Sequence, residues 1–100
     1  MNEFRLSPEA EAQLDSIWLH IAQRSSSVDT ANRAIDDITD RFWLLSRNPY
    51  MGRRRDDLAL GLRSFPAGDY LIIHRIQSGG VLLVLFVVHG SQDIGSFFQH

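Results

Sequence analysis

An unbroken apolar run, V-L-L-V-L-F-V-V at residues 81–88, is the strongest constraint on the fold of this chain. Its β-branched and aromatic content predicts a strand. Successive side chains of a strand point to opposite faces, so both faces of the sheet need apolar cover at this strand. An antiparallel sheet commonly leaves one face in water. The run is far shorter than the roughly 20 residues that a membrane-spanning helix requires. It therefore predicts a sheet with more apolar surface than one covering layer can hide.

Two more strand-like runs precede it, at residues 60–65 and 70–76. The turn-forming sequences P-A-G-D at 66–69 and Q-S-G-G at 77–80 separate the three runs. Glycine, proline and aspartate favour tight connections between paired strands. The order predicts an antiparallel meander.

Two helical patterns lie upstream of the strands. The first is expected to begin after the N-cap Ser7 and to end near Arg24. The second is expected to begin after Ser27 or Asp29 and to end before Pro49, because the residue before proline avoids helical geometry. A short connection between two amphipathic helices predicts an antiparallel hairpin. The apolar positions at helical spacing are Ala10, Leu14, Ile17 and Ile21 in the first helix and Ala31, Ile35, Ile38, Phe42 and Leu45 in the second.

Together these elements predict one α+β domain of 100 residues. We expect a short N-terminal strand at residues 2–6 and an antiparallel helical hairpin packed on a small twisted antiparallel β-sheet. A short C-terminal tail or helix follows at residues 91–99. The tail carries Phe97 and Phe98 but is too short to cover the whole sheet face that the helices leave open.

Composition narrows the classes of function. All ten basic residues are arginine and the net charge is −2, which argues against a generally basic nucleic-acid-binding protein. The absence of cysteine excludes disulfides and thiolate metal sites. The first residues lack the layout of a signal peptide. We expect a soluble cytoplasmic protein without a metal or other cofactor.

Some apolar residues of the helices fall outside the predicted core. Leu19 and Leu44 lie about 180° from their own core stripes, at about 100° per residue. Trp18 and Trp43 lie on the edges of those stripes. Surplus apolar surface on a small domain suggests a partner. The alternative is that both tryptophans complete the core and the tail covers the sheet.

Four segments in order resemble the ParE branch of the ParE/RelE toxin superfamily. They are L-S-P-E-A-E-A-Q-L-D-S-I-W at residues 6–18, N-P-Y-M-G-R at 48–53, G-L-R-S-F at 61–65 and V-V-H-G-S-Q-D at 87–93. Each segment alone is weakly specific, but the ordered set covers nearly the whole chain.

The resemblance implies the toxin half of a bacterial type II toxin–antitoxin pair, neutralised by a ParD-like antitoxin. That antitoxin is expected to bind operator DNA through its N-terminal half and to wrap the toxin with a flexible C-terminal segment. The toxin would then meet operator DNA only through the antitoxin, and it would need no membrane. The ParE branch implies DNA gyrase as the target, whereas the RelE branch implies cleavage of mRNA in the ribosomal A site.

Candidate contact residues follow from the surplus apolar surface and from the arginines. The antitoxin is expected to contact Trp18, Leu19, Trp43, Leu44, Arg53, Arg63 and Arg75. Arg63 and Arg75 are the stronger arginine candidates, because strand positions fix their direction and a guanidinium can hold a carboxylate through two hydrogen bonds. The candidate target contacts are His89, Arg54, Phe97 and Phe98.

The main alternative is a RelE-like endoribonuclease that uses His74 and His89 with nearby arginines. Imidazole titrates near neutral pH and can act as base or acid. RelE-type enzymes draw on lysines, arginines and a late tyrosine. This chain has no lysine, its last tyrosine is Tyr70, and Phe86 and Gln92 replace frequent arginines of the family. A second alternative is a toxin-fold remnant that only helps its antitoxin to bind DNA.

Overall fold

The computed structural model describes residues 3–92 and 94–95 and contains two helices packed on a five-stranded sheet. Neither helix is long and apolar enough to cross a membrane within this described part. The elements are β1 (Phe4–Leu6), α1 (Pro8–Ser25), α2 (Val28–Arg47), β2 (Arg53–Arg54), β3 (Arg63–Ala67), β4 (Tyr70–Ile76) and β5 (Leu82–His89).

The sheet is mixed rather than wholly antiparallel. Its strand order is β1-β5-β4-β3-β2, and β1 pairs with β5 in parallel while the other neighbours are antiparallel. Parallel neighbours need a long connection, and here nearly the whole chain lies between them. The N-terminal strand, the helical hairpin and the three-stranded antiparallel meander are confirmed, and the parallel pairing of β1, for which no expectation was made from the sequence, makes the sheet mixed.

The third strand also differs from its expected limits. It begins at Arg63 and continues through Pro66 to Ala67, so the turn contracts to Gly68 and Asp69. Proline is tolerated because β2 pairs only with Arg63 and Ser64, which leaves that side of β3 open at Pro66. The two-residue turn places Gly68 at a φ of 62°, which suits glycine.

Ser7 joins the helical layer to the sheet. Its hydroxyl accepts a hydrogen bond from the backbone N–H of Ala10 at 3.0 Å, which caps α1 as predicted, and donates one to the carbonyl of Leu85 at 2.6 Å. Leu85 is the extra residue of a bulge, because Ile73 pairs with Phe86 while His74 pairs with Val84. Ser7 therefore satisfies a carbonyl that lies at the irregular point of the sheet.

Strand β5 contributes to two apolar cores, as its sequence predicts. Leu82, Val84 and Val87 pack under the helices, while Val88 packs on the opposite face. That second face is covered by the connection between β2 and β3 and by Ile94. The cover was not expected from this connection, part of which was assigned to a strand. Phe97 and Phe98 lie outside the described residues.

Candidate partner-binding surfaces

The helices expose four large apolar side chains, which we call the helix surface: Leu19, Val28, Trp43 and Leu44. Leu19 and Trp43 are each 52% exposed. Leu19 and Leu44 lie away from the core because helix geometry turns them from the apolar stripe. Such side chains lose water only when a second molecule covers them.

The two tryptophans differ in their surroundings. Trp18 is half-buried, and its indole N–H donates to the Asn32 side-chain oxygen at 2.8 Å, so it bridges α1 and α2. Trp43 packs edge-on against Phe4 of β1 with the ring centroids 4.6 Å apart, yet half of it stays exposed. The alternative in which both tryptophans complete the core is therefore wrong for Trp43. Val28 and Leu44, two members of the helix surface, are sixteen residues apart in α2, or about 24 Å, so the helix surface is extended.

A second surface, which we call the arginine edge, comprises residues 50–63 together with Arg75. It carries five arginines and two aspartates, a net charge of +3, although the whole chain carries −2. Tyr50 and Leu60 project from it and are 72% and 88% exposed. Arg75 and Leu60 line one open cavity, which joins the two parts of this surface. A positive surface with exposed apolar groups suits an acidic and partly apolar partner.

The arginines of this edge are in different states. The Arg63 guanidinium donates to the carbonyl of Gly52 at 2.7 Å and lies over the Tyr50 ring, 5.2 Å from its centroid, so it is held in place. Arg54 pairs with Asp56 at 2.6 Å. The side chains of Arg53 and Arg75 form no hydrogen bond or ion pair with residues 3–92 or 94–95, although the Arg53 charge contributes to the lowered pKa of Asp57, so both remain available to a partner.

The aspartates of the arginine edge are already engaged. The backbone N–H of Gly61 and then the Arg54 side chain lower the pKa of Asp56. Two hydrogen bonds at 3.1 Å from Arg55 lower the pKa of Asp57. These exposed pairs add little to stability, but they keep carboxylates from competing for the other arginines.

The predicted antitoxin contacts do not form one surface. Trp43 rests on β1 and Arg53 lies in β2, and these strands are the two opposite edges of the sheet. Four strand spacings separate them, or about 19 Å. One partner would have to be long enough to reach both edges. Sequence analysis missed Tyr50 and Leu60, although the position of Tyr50 directly after Pro49 signals an exposed turn.

His74 is fully buried, and neither ring nitrogen has a hydrogen-bond partner in the described part of the chain. Gly52 packs so closely on the ring that a Cβ there would lie 2.5 Å from Nε2. Burial, and secondarily the charge of Arg63, lowers the pKa of His74 to about 4. The imidazole is therefore neutral at physiological pH and closed to substrate.

His89 lies at the opposite end of β4 and β5 from His74. It pairs with Tyr70, four residues from His74 along β4, or about 13 Å. Its ring is exposed and contacts the Tyr70 ring edge-on at 5.5 Å. The endoribonuclease hypothesis requires His74 and His89 to lie close together. The structure does not bring them together.

The buried imidazole predicts a specific loss of stability in acid. The folded state binds His74's proton only near pH 4, whereas the unfolded chain binds it near pH 6.5, so protons favour unfolding between these values. The contribution is complete above pH 6.5 and is reduced by about 3 kcal/mol at pH 4.

Urea unfolding of the wild type and of His74→Leu at a series of pH values measures this effect. The difference in unfolding free energy between the two proteins should change with pH across that window. A constant difference would show that His74 does not titrate on unfolding.

Comparison with known proteins agrees with this architecture. Residues 4–94 match the family described as ParE toxin of type II toxin-antitoxin system, parDE. The chain is 29% identical over 93 residues to Toxin ParE1 of Mycobacterium tuberculosis, covering 93% of this chain and 94% of that protein. It is 28% identical over 93 residues to Toxin ParE1 of Caulobacter vibrioides, with the same coverage.

Solved structures share the fold. A chain of the chromosomal ParDE toxin–antitoxin system of P. aeruginosa superposes with a TM-score of 0.76 at 21% identity, covering 89% of this chain and 96% of that one. A chain of the RelBE2 toxin–antitoxin complex of M. tuberculosis gives 0.65 at 22% identity, covering 88% and 96%. The family match covers residues 4–94, so the chain belongs to the ParE toxin family of type II toxin–antitoxin systems.

Proposed function

We propose that this toxin is neutralised by direct binding of a ParD-like antitoxin and that it inhibits DNA gyrase by binding, not by catalysis. The observation that carries the first part is that Trp43 is half-exposed beside one edge strand of the sheet, while the exposed Arg53 lies in the opposite edge strand and the exposed Arg75 in the central strand β4. An extended antitoxin segment that crosses the toxin would cover both. The site of action is the cytoplasm, and operator DNA is contacted through the antitoxin.

The energetics favour apolar contact combined with charged anchors. Ordering a flexible segment on binding costs roughly 2–5 kcal/mol of the gross contact energy. Tryptophan and arginine are the residues that most often dominate binding energy when a partner excludes water from them. The helix surface supplies an exposed tryptophan, and the arginine edge supplies exposed arginines. Arg53 and Arg75 suit acidic side chains of the antitoxin because neither is engaged within the described residues.

Three features support action by binding. Cleavage of RNA without metal needs a base, an acid and cations held around one phosphate. His74 is buried and neutral, His89 lies about 13 Å away along the sheet, and the chain has no lysine. The target contacts are proposed at His89 and Arg54, with Phe97 and Phe98, which lie outside the described residues.

Arg75→Ala is expected to weaken antitoxin binding about tenfold while leaving the thermal midpoint nearly unchanged. The side chain is exposed and unpaired, so its loss removes a charged contact without disturbing the core. Isothermal titration with a purified ParD-like antitoxin that neutralises this toxin measures the affinity.

Arg54→Ala is the matched control, because Arg54 is already paired with Asp56 and should matter less. Unchanged affinity and unchanged killing of cells by Arg75→Ala would remove Arg75 from the antitoxin site.

A gyrase supercoiling assay tests the target. Purified toxin should inhibit supercoiling or trap the cleaved DNA complex, and added antitoxin should relieve the effect. Folded toxin that kills cells but leaves gyrase unaffected would contradict the proposal.

A defined translation reaction then distinguishes the alternatives. Cleavage of mRNA that is lost in His89→Ala would establish the endoribonuclease. Normal growth of cells that express the chain without antitoxin would support a remnant that only assists DNA binding.

A further inference from the structure

A cavity of about 400 Å³ lies at the end of β5, between that strand, α1 and the first residue of β4. Ile17 and Val87 form its apolar wall. Its polar lining comes from Gln13, Ser16, His20, Tyr70, His89 and Gln92. Neither the helix surface nor the arginine edge contributes a residue to it, so it is a separate feature of the molecule.

The acceptor atoms of three lining side chains are already used by the backbone. The Gln13 Oε1 accepts from the N–H of Val87 at 2.7 Å, and the Gln92 Oε1 accepts from the N–H of His89 at 2.8 Å. The His89 Nδ1 accepts from the N–H of Ser91 at 3.1 Å. Because a backbone N–H can only donate, these contacts fix both amide orientations. The His89 Nδ1 also lies 2.7 Å from the Ser91 hydroxyl oxygen, so Ser91 occupies this ring nitrogen.

The same contacts leave donors unused. Each glutamine keeps its NH₂ group, and Nε2 is the His89 ring nitrogen that the contacts with Ser91 leave unused. The Tyr70 hydroxyl has no hydrogen-bond partner among residues 3–92 and 94–95. Burial, with a smaller contribution from Asp69, raises the pKa of Tyr70, so its hydroxyl stays protonated and able to donate.

The lining of this cavity differs in charge from that of its neighbour. No aspartate or glutamate of the described chain lines it. The adjoining cavity, of about 560 Å³, shares His20, Tyr70 and His89 with it but is lined by Asp37 and Asp69 as well as by arginines. The smaller cavity therefore has hydrogen-bond donors and no carboxylate in its lining, although the charge of Asp69 reaches Tyr70.

We propose that this cavity binds an oxyanion, either a carboxylate or a phosphate group, whose oxygens accept hydrogen bonds from Gln13, Tyr70, His89 and Gln92. Hydrogen bonds to an ionised acceptor are the stronger kind, and the Gln13, His89 and Gln92 side chains, which backbone hydrogen bonds already hold, lose little entropy when they bind it. Ile17 and Val87 offer contact to an apolar group attached to the anion. The hydrogen bonds from backbone N–H groups explain the positions of the two amide oxygens and of Nδ1. They do not explain why the NH₂ groups of both glutamines, the His89 ring and the Tyr70 hydroxyl belong to residues that line the same cavity.

Titration of the isotope-labelled toxin by nuclear magnetic resonance tests the proposal without antitoxin or gyrase. The probes are inorganic phosphate, phenyl phosphate, benzoate and neutral benzyl alcohol. The three anions should shift the ring signals of His20 and His89 and the side-chain amides of Gln13 and Gln92 saturably, with dissociation constants on the order of millimolar. Buried His74 serves as an internal control and should not respond.

Substitutions then locate the site. Gln92→Glu keeps an oxygen for the N–H of His89 but replaces the NH₂ donor by a negative charge, so anion binding should be lost. Tyr70→Phe keeps the ring beside His89 and should weaken binding about tenfold. Arg75→Ala removes a cation outside this cavity and should bind the anions as the wild type does.

Several results would overturn the proposal. These are an absence of shifts with all three anions, equal shifts with benzyl alcohol, or unchanged affinity in both Gln92→Glu and Tyr70→Phe. Binding of inorganic phosphate as tightly as phenyl phosphate would identify a free anion as the ligand. Binding of the aromatic anions alone would identify an anionic group carried on an apolar body.

Discussion

Strand β5 is the element on which the rest of the structure depends, because its side chains are apolar on both faces. One face packs under the helical hairpin and the other under the connection between β2 and β3 with Ile94. Its two neighbours are β1, which pairs in parallel, and β4, which pairs antiparallel across a bulge. Ser7 fixes the start of α1 to the bulge through the carbonyl of Leu85. These contacts hold the helices, the meander and the N-terminal strand in fixed positions relative to one another.

This arrangement places most of the two candidate partner-binding surfaces at the margins of the sheet. With β5 and β4 in the interior, β1 and β2 form the edges, and each edge carries an exposed aromatic ring: Trp43 beside β1 and Tyr50 beside β2. The arginines concentrate at the second edge, where Arg63 is held by the carbonyl of Gly52. The buried neutral His74 packs against this edge, because Gly52 lies directly on its ring. A long, acidic and partly apolar segment fits such a distribution better than a compact ligand does.

Local patterns in the sequence predicted the features that interactions between neighbouring residues determine. The 3.6-residue period placed Leu19 and Leu44 outside the core, Ser7 was identified as a helix cap, and Ser27 was one of two candidate caps for the second helix. Long-range features were not predictable in this way. The parallel pairing of β1 depends on which strand is left without a neighbour, and the burial of His74 depends on a loop that follows α2. The separation of Trp43 from the arginines follows from strand order, which no single segment encodes. The donor-lined cavity likewise depends on long-range contacts, such as the one between Gln13 and Val87, which are 74 positions apart.

The central claim is that one antitoxin covers both edges of the sheet, and hydrogen–deuterium exchange of the toxin, free and antitoxin-bound, tests it most directly. The account predicts that binding slows exchange in the C-terminal half of α2 and at residues 50–55, while β5 amides stay slow in both states because they are already buried. Protection limited to one edge, or absent from both, would contradict the account.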